Sequence, residues 1–258
     1  RGGLRLAEAV HDINRIDDTL EERLERACHP RDGYLTACPT NVGTGLRVSV
    51  MLHLPALKMT GEIERLFRAA RDMHLAIRGL YGEGTEASGD FFQLSNQTTL
   101  GKTEDQIAQD FLEQLVPRFV DFERKARTGL MKKRPDAMED KMHRSLALLR
   151  SARTISTDET MYLLSLVRLG LAMERIDDVD LQQLNECFLL TQPAHLQRVL
   201  GRELPRRRLL ALERLAVADA CLGKAQPGGL LGLEGLFRRG PARAFRRLRG
   251  LRREGLLL

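Results

Sequence analysis

The sequence predicts an α+β region followed by an all-helical one, and three observations carry that reading. Residues 46–54 alternate around Val48, Val50 and Leu52 in the period of a strand, and shorter strand-like runs stand at 75–80 and 91–95. From Thr103 onward apolar residues recur every three to four positions, the period of a helix. That switch is marked by Thr103-Glu104-Asp105-Gln106, a capping box in which Thr and Gln side chains satisfy backbone N–H groups at a helix start.

The elements follow in order. From Leu4 to about Ala27, apolar residues at 6, 10, 13, 16, 20 and 24 describe one amphipathic helix. The strand at 46–54 is closed by Pro55, which cannot donate to a sheet ladder. Thr60 can cap a helix running to about Met73. A strand at 75–80 leads into a Gly-rich loop, and Phe91–Ser95 returns as a strand; His53 and His74 flank these strands as packing residues. A long helix then runs from 103 to about Lys132, and another covers 136–150. Ser156-Thr157-Asp158-Glu159 opens a further helix to about Arg175, and 179–190 and 194–202 complete a helical stretch over 103–222. The organisation expected is residues 1–102 as an α+β domain, 103–226 as a helical region and 227–258 as a low-complexity tail.

The chain of 258 residues can bury a sizeable core, built from aliphatic residues because aromatics make up 5% and tryptophan is absent. The net charge of +6 hints at nucleic acid until it is located: residues 227–258 hold eight arginines against two glutamates. The remaining residues balance, 33 basic against 33 acidic, so nucleic acid is not an expected partner. The tail uses seven residue types and suits a disordered basic extension, a wrong-frame read-through or a membrane-surface segment. Cys28, Cys38, Cys187 and Cys221 show no CxxC spacing, which argues against structural zinc and a disulfide framework. Reduced thiols are expected, with Cys28, Cys187 and Cys221 packed in helices. No stretch approaches 18 apolar residues and the N-terminus has no apolar signal core, so a cytoplasmic protein without a membrane partner is expected.

Two loops carry the chemistry. Cys38-Pro39-Thr40-Asn41-Val42-Gly43-Thr44-Gly45-Leu46-Arg47 sets a thiol, several backbone N–H groups and a guanidinium close together, an arrangement suited to an anion and a polar substrate. Arg78-Gly79-Leu80-Tyr81-Gly82-Glu83-Gly84-Thr85 then places Glu83 between glycines, on a loop rather than a helix face. With these motifs the chain resembles the ATP:guanido phosphotransferase (phosphagen kinase) family, most closely its bacterial protein-arginine kinase branch. The resemblance covers roughly residues 2–203 and is sharpest over 33–101. The segment Leu189-Leu190-Thr191-Gln192-Pro193-Ala194-His195 resembles part of the helical region that follows the catalytic domain in that branch.

The resemblance implies part of a guanido-kinase catalytic domain, an antiparallel sheet flanked by helices, ahead of the helical region. It implies transfer of the ATP γ-phosphoryl group, with Mg2+, to arginine side chains of proteins. Cys38 and Glu83 would be catalytic and substrate-binding, Cys38 as a thiolate beside the guanidinium and Glu83 as the carboxylate that pairs with it. Arg47 and Arg78 would bind nucleotide phosphates, with Gln93, Ser95 and Asn96 near the nucleotide. No residue is assigned to a metal.

Two departures accompany it. The chain opens at Arg1-Gly2-Gly3-Leu4, a point inside the family's catalytic domain. The resemblance therefore implies an N-terminally incomplete, impaired kinase without the Arg-x-Arg clamp, second carboxylate and further arginine that the family places earlier. At Gly201–Ala211 the branch's Arg-Asp-x-x-Arg-Ala pattern lacks its aspartate, so no phospho-arginine-sensing residue is assigned. Alternative readings are a kinase for a free guanidino metabolite, or a non-catalytic module whose helices dimerise or dock an adaptor protein.

Overall fold

The computed structural model describes residues 3–79 and 88–200, without the side chains of Leu196, Val199 and Leu200. Glu83, the tail and the 201–222 part of the expected helical stretch lie outside the described residues. Those described form two compact units, one up to residue 79 with Phe91–Leu130, the other Ser88–Asp90 with the residues from Met131 onward.

The first unit is built on a three-stranded antiparallel sheet, β3 (Ser49–His53), β4 (Leu75–Gly79) and β5 (Phe91–Asn96), in the order β3-β5-β4. Helix α1 (Leu6–Glu21) precedes it and ends earlier than the sequence pattern suggested. Its apolar stripe stays largely at the surface, with Ile13, Ile16 and Leu20 all exposed. Cys28 was expected in a helix, but it lies exposed in a two-residue strand, β1 (Cys28–His29), paired with β2 (Gly33–Tyr34). The turn Arg31-Asp32-Gly33 breaks the helical period there.

Pro55 ends the sheet as expected and also does something the sequence reading missed. It occupies the first turn of a short helix, α2 (Pro55–Thr60), where a missing N–H costs nothing. Thr60 is consequently no N-cap: it lies in the last turn, its hydroxyl donating to the Leu57 carbonyl at 3.1 Å. Gly61, at φ 74°, closes that helix in the left-handed conformation glycine tolerates. Helix α3 (Ile63–Asp72) follows.

The Thr103 capping box forms as expected, with both reciprocal hydrogen bonds present at the start of α4 (Glu104–Gln109). The single long helix expected to Lys132 is interrupted, however. A π-helical stretch (Asp110–Leu115) separates α4 from α5 (Val116–Lys133), and the Val116 N–H reaches back five residues to the Phe111 carbonyl. Pro117 explains it: its nitrogen carries no hydrogen and its ring crowds the preceding turn, so the helix widens there.

Cross-strand register sorts the sheet into two faces. Leu94 lies opposite Val50 and Ile77, and Phe92 opposite Leu52, all on the face packed against Leu57, Leu66, Ala70, Phe111 and Phe119. Each fully buried aliphatic or aromatic side chain of this kind contributes about 1.5–3 kcal/mol. Alternation places Ser49, Met51, Gln93, Ser95 and Arg78 on the other face. One face is thus core, and the other is polar.

The second unit contains α6 (Pro135–Ser151), α7 (Thr157–Ala172), α8 (Leu181–Leu190) and α9 (Pro193–Leu200). The Ser156 side chain caps α7 by accepting from the Glu159 N–H, and Asp180 caps α8 in the same way. Helix α7 is apolar on most of its circumference and buries Met161, Leu164, Val167 and Leu169. The turn Ser88–Asp90 packs within this unit: Gly89 lies against Met161 and Phe188, and the Asp90 carboxylate accepts from the Ser165 hydroxyl at 2.5 Å. Cys187, buried on α8, is disulfide-bonded, which corrects the expectation of reduced thiols throughout. Sequence spacing identifies short thiol clips and says nothing of other pairings. No helix among the described residues is long and apolar enough to cross a membrane.

Candidate active site

The polar face of the sheet gathers Arg47, Arg78, Gln93 and Ser95. Arg78 lies on β4 directly opposite Gln93 of β5, and Ser95 follows two positions along the same face. Arg47 stands just ahead of β3, and one of its terminal nitrogens donates to the Ser95 hydroxyl oxygen at 3.1 Å. Ser95 is buried, so this bond holds the guanidinium beside the sheet.

Asn96 fixes the backbone on both sides of Arg47. Its side-chain oxygen accepts from the Val48 N–H at 2.8 Å, and its amide nitrogen donates to the Leu46 carbonyl at 3.0 Å and the Thr98 carbonyl at 3.2 Å. Two hydrogen bonds from one side chain leave the Leu46–Val48 segment little freedom. Ser95 and Asn96, two of the three residues expected near the nucleotide, are therefore the supports of Arg47.

Cys38 lies in the loop before β3 and is fully exposed at the head of a 3-10 turn, Pro39–Asn41. The Asn41 N–H and the Thr36 hydroxyl both donate to its carbonyl, at 3.0 and 2.6 Å. Its sulfur lies 3.0 Å from the Thr40 hydroxyl. That hydroxyl, then the Thr40 backbone amide, holds the thiol below its ordinary value, because both stabilise a thiolate. Nearby positive charge and loop amides were expected to supply this effect; the structure supplies it through the hydroxyl and the amide of Thr40.

The loop is pinned from beneath by Thr99, which is buried. Its hydroxyl lies 2.7 Å from the Val42 carbonyl and 3.2 Å from that of Thr40, and the Thr44 N–H donates to the Thr99 carbonyl at 3.2 Å. Gly43 sits between these anchors at φ 112°, and a Cβ there would fall 2.4 Å from the Thr99 oxygen. Only glycine allows that approach. Cys38 is joined to the Arg47 cluster through Thr40 and Thr99, and Glu83 lies outside the described residues. Among the described residues no group of three or more His, Cys, Asp or Glu side chains gathers to hold a metal.

With this geometry in place, comparison with known proteins is decisive. A family model for the ATP:guanido phosphotransferase C-terminal catalytic domain matches residues 1–126, and one for the protein-arginine kinase McsB C-terminal domain matches residues 135–227. A protein-arginine kinase of Symbiobacterium thermophilum is 50% identical over 202 residues, covering 78% of this chain and 57% of that protein. The chain belongs to the ATP:guanido phosphotransferase family, in its protein-arginine kinase branch.

Other members agree. Protein-arginine kinases of Bacillus licheniformis and Clostridium kluyveri are each 45% identical, over 84% and 85% of this chain and 61% and 65% of their own lengths. The chain thus spans roughly three fifths of the curated relatives it matches. A crystal structure of lombricine kinase is 32% identical, covering 47% of this chain and 33% of that one, at a TM-score of 0.40.

Sequence reasoning missed Thr40 and Thr99. Both are threonines in loops, where neither period nor capping pattern marks them, and Thr99 meets its partners 55 to 59 positions away. The signal available was weak: Thr99 ends a polar run, Asn96-Gln97-Thr98-Thr99, that begins at the last residue of a strand.

Proposed function

We propose that the chain, in the context of its family, transfers the γ-phosphoryl group of ATP to guanidinium nitrogens of arginine side chains in proteins. The observation that carries this is the guanidinium of Arg47, held by Ser95 and bracketed by Asn96, on the same polar sheet face as Arg78. Two arginines on one face suit the charge of a triphosphate, and the Arg47 guanidinium is held before the nucleotide arrives and loses little freedom on binding it.

The chemistry explains the remaining residue types. A guanidinium is a poor nucleophile: its charge is delocalised, and it holds its proton far above neutral pH. In the reaction an N–P bond forms, the bond from phosphorus to the β–γ bridging oxygen breaks, and the nitrogen gives up a proton. Arg47 and Arg78 would neutralise the phosphoryl oxygens and keep the reacting groups in line. Cys38, whose thiol Thr40 holds below its ordinary value, would as a thiolate draw positive charge towards one end of the guanidinium. Glu83 would pair with that group and accept its proton, a role that rests on the sequence motif. Magnesium, bound with the nucleotide, would supply further positive charge at the phosphates.

Two things favour a protein substrate over a free metabolite: the match of residues 135–227 to the protein-arginine kinase helical domain, and identity to enzymes of that name. Transfer of radiolabelled phosphate from ATP to an arginine-rich protein, free arginine and creatine tests the reading. An acid-labile label on the protein is expected, lost in Arg47→Ala and Glu83→Gln. Equal transfer by both variants would refute the site, and preference for free arginine or creatine would replace protein by metabolite.

A further inference from the structure

We infer that Thr99 is a positioning residue for guanidino transfer: its buried hydroxyl and carbonyl hold the loop that presents Cys38, while Asn96, three residues earlier, separately holds Arg47. The inference rests on the kinase reading for its functional half and on geometry alone for its structural half.

The loop engages Thr99 at every second residue. The carbonyls of Thr40 and Val42 face the Thr99 hydroxyl at 3.2 and 2.7 Å, and the Thr44 N–H meets the Thr99 carbonyl at 3.2 Å. The Thr44 hydroxyl points to the same carbonyl at 3.4 Å. A hydroxyl has one proton, so the shorter contact to Val42 is its principal bond and Thr40 shares it. Between these anchors Gly43 lies so close to Thr99 and Leu100 that no side chain fits. The loop is therefore wrapped around a fixed post.

That post sets the thiol. Thr40 is at once the residue whose carbonyl faces Thr99 and the residue whose hydroxyl lies 3.0 Å from the Cys38 sulfur. A shift of Thr40 carries the hydroxyl away from the sulfur and frees the turn at Pro39–Asn41. Asn96 acts on the other half of the site, since all its side-chain bonds go to Leu46, Val48 and Thr98 and none to residues 38–44. One short segment, Ser95–Thr99, thus aligns the group that meets the guanidinium with the group that meets the phosphates. It uses different residues for each.

The test separates the two halves. Trypsin releases Asp32–Arg47, in which Cys38 is the one cysteine, so the pH dependence of its iodoacetamide labelling can be followed by mass spectrometry in the whole chain. Thr99→Val, which keeps the shape and removes the hydroxyl, should move the labelling midpoint upward, and Thr99→Ser should restore it. In phosphoryl transfer, Thr99→Val should lower kcat about ten- to a hundredfold with little change in the KM for ATP. Asn96→Ala should do the reverse, raising the KM for ATP and leaving Cys38 labelling as in the parent chain. A parental labelling profile in Thr99→Val overturns the inference, as does a Thr99→Ser variant that fails to restore it. Shifted labelling in a chain whose parent transfers no phosphate to any acceptor would sink the kinase reading and leave the loop anchor supported.

Discussion

Glu123 offers the sharpest test of how the first unit is held together. It lies on α5 and is 4% exposed, yet both its oxygens are occupied. One accepts from the Ala56 N–H at 3.1 Å and from the Arg127 side-chain Nε at 2.7 Å; the other accepts from the Leu57 N–H at 3.1 Å. The amides are two of the unpaired donors at the start of α2, so a distant carboxylate does the work of an N-cap that Leu54 cannot. Glu123→Ala removes the acceptor and leaves two buried N–H groups and a partly buried guanidinium behind. Breaking a buried pair in this way costs about 3–5 kcal/mol. Glu123→Gln keeps the shape but turns one acceptor into a donor facing a backbone N–H, which costs about 1–3 kcal/mol.

The pH dependence has a definite sign. Burial lifts the Glu123 carboxyl above its ordinary 4.5, against the pull of Arg127 and the Leu57 and Ala56 amides. A group whose pKa rises on folding takes up protons as the chain folds. The stability this gives is full below 4.5 and is lost as pH rises through the folded value. The advantage of the parent over Glu123→Gln should therefore shrink as pH rises through that window. Urea unfolding followed by hydrogen exchange of the peptide over residues 54–60 reads the effect locally. Glu123→Ala within about 0.5 kcal/mol of the parent, the range of an ordinary surface change, would refute the reasoning.

Two further outcomes are expected. Thr40→Val removes the hydroxyl that is the first cause of the lowered Cys38 thiol, so the iodoacetamide midpoint of Cys38 should rise and labelling near neutral pH should slow; an unchanged profile would show that the loop amides suffice. Gly170→Ala should destabilise the helical unit by about 1–3 kcal/mol in urea unfolding, because a Cβ there meets Ile176 at 2.7 Å and Met142 at 3.4 Å in a packed core.

Much of the fold was legible, for reasons visible in particular residues. Val48, Val50 and Leu52 alternate because one face of β3 is buried, and Thr103 and Ser156 announce helices because their side chains close the first turns. What escaped was position-dependent meaning. Pro55 reads as the end of a strand and is also the start of α2. Pro117 sits inside a strong helical pattern and widens the helix rather than ending it. Cys28 belongs to a hairpin too short to show a period. In each case one residue or short turn had more than one local use, and the period of the pattern did not choose between them.

The site divides along the same line, and the division has a physical basis. Groups proposed to meet a substrate must have particular chemistry, so Cys38, Arg47, Arg78 and Glu83 stand out by type and by motif. Groups that hold them in place need only a donor or an acceptor at the right spot, and a threonine or asparagine in a loop serves. Thr99 reaches residues 40–44 and Asn96 reaches residues 46–48, each across some fifty positions of sequence. Those pairings follow from the antiparallel return of β5 beside β3, with Ser49 opposite Ser95, which carries the residues after β5 back past the loop that leads into β3. The sheet register therefore does more than support the core. It fixes which loop residues meet, and through Thr99 and Asn96 it sets where the thiol and the arginine stand.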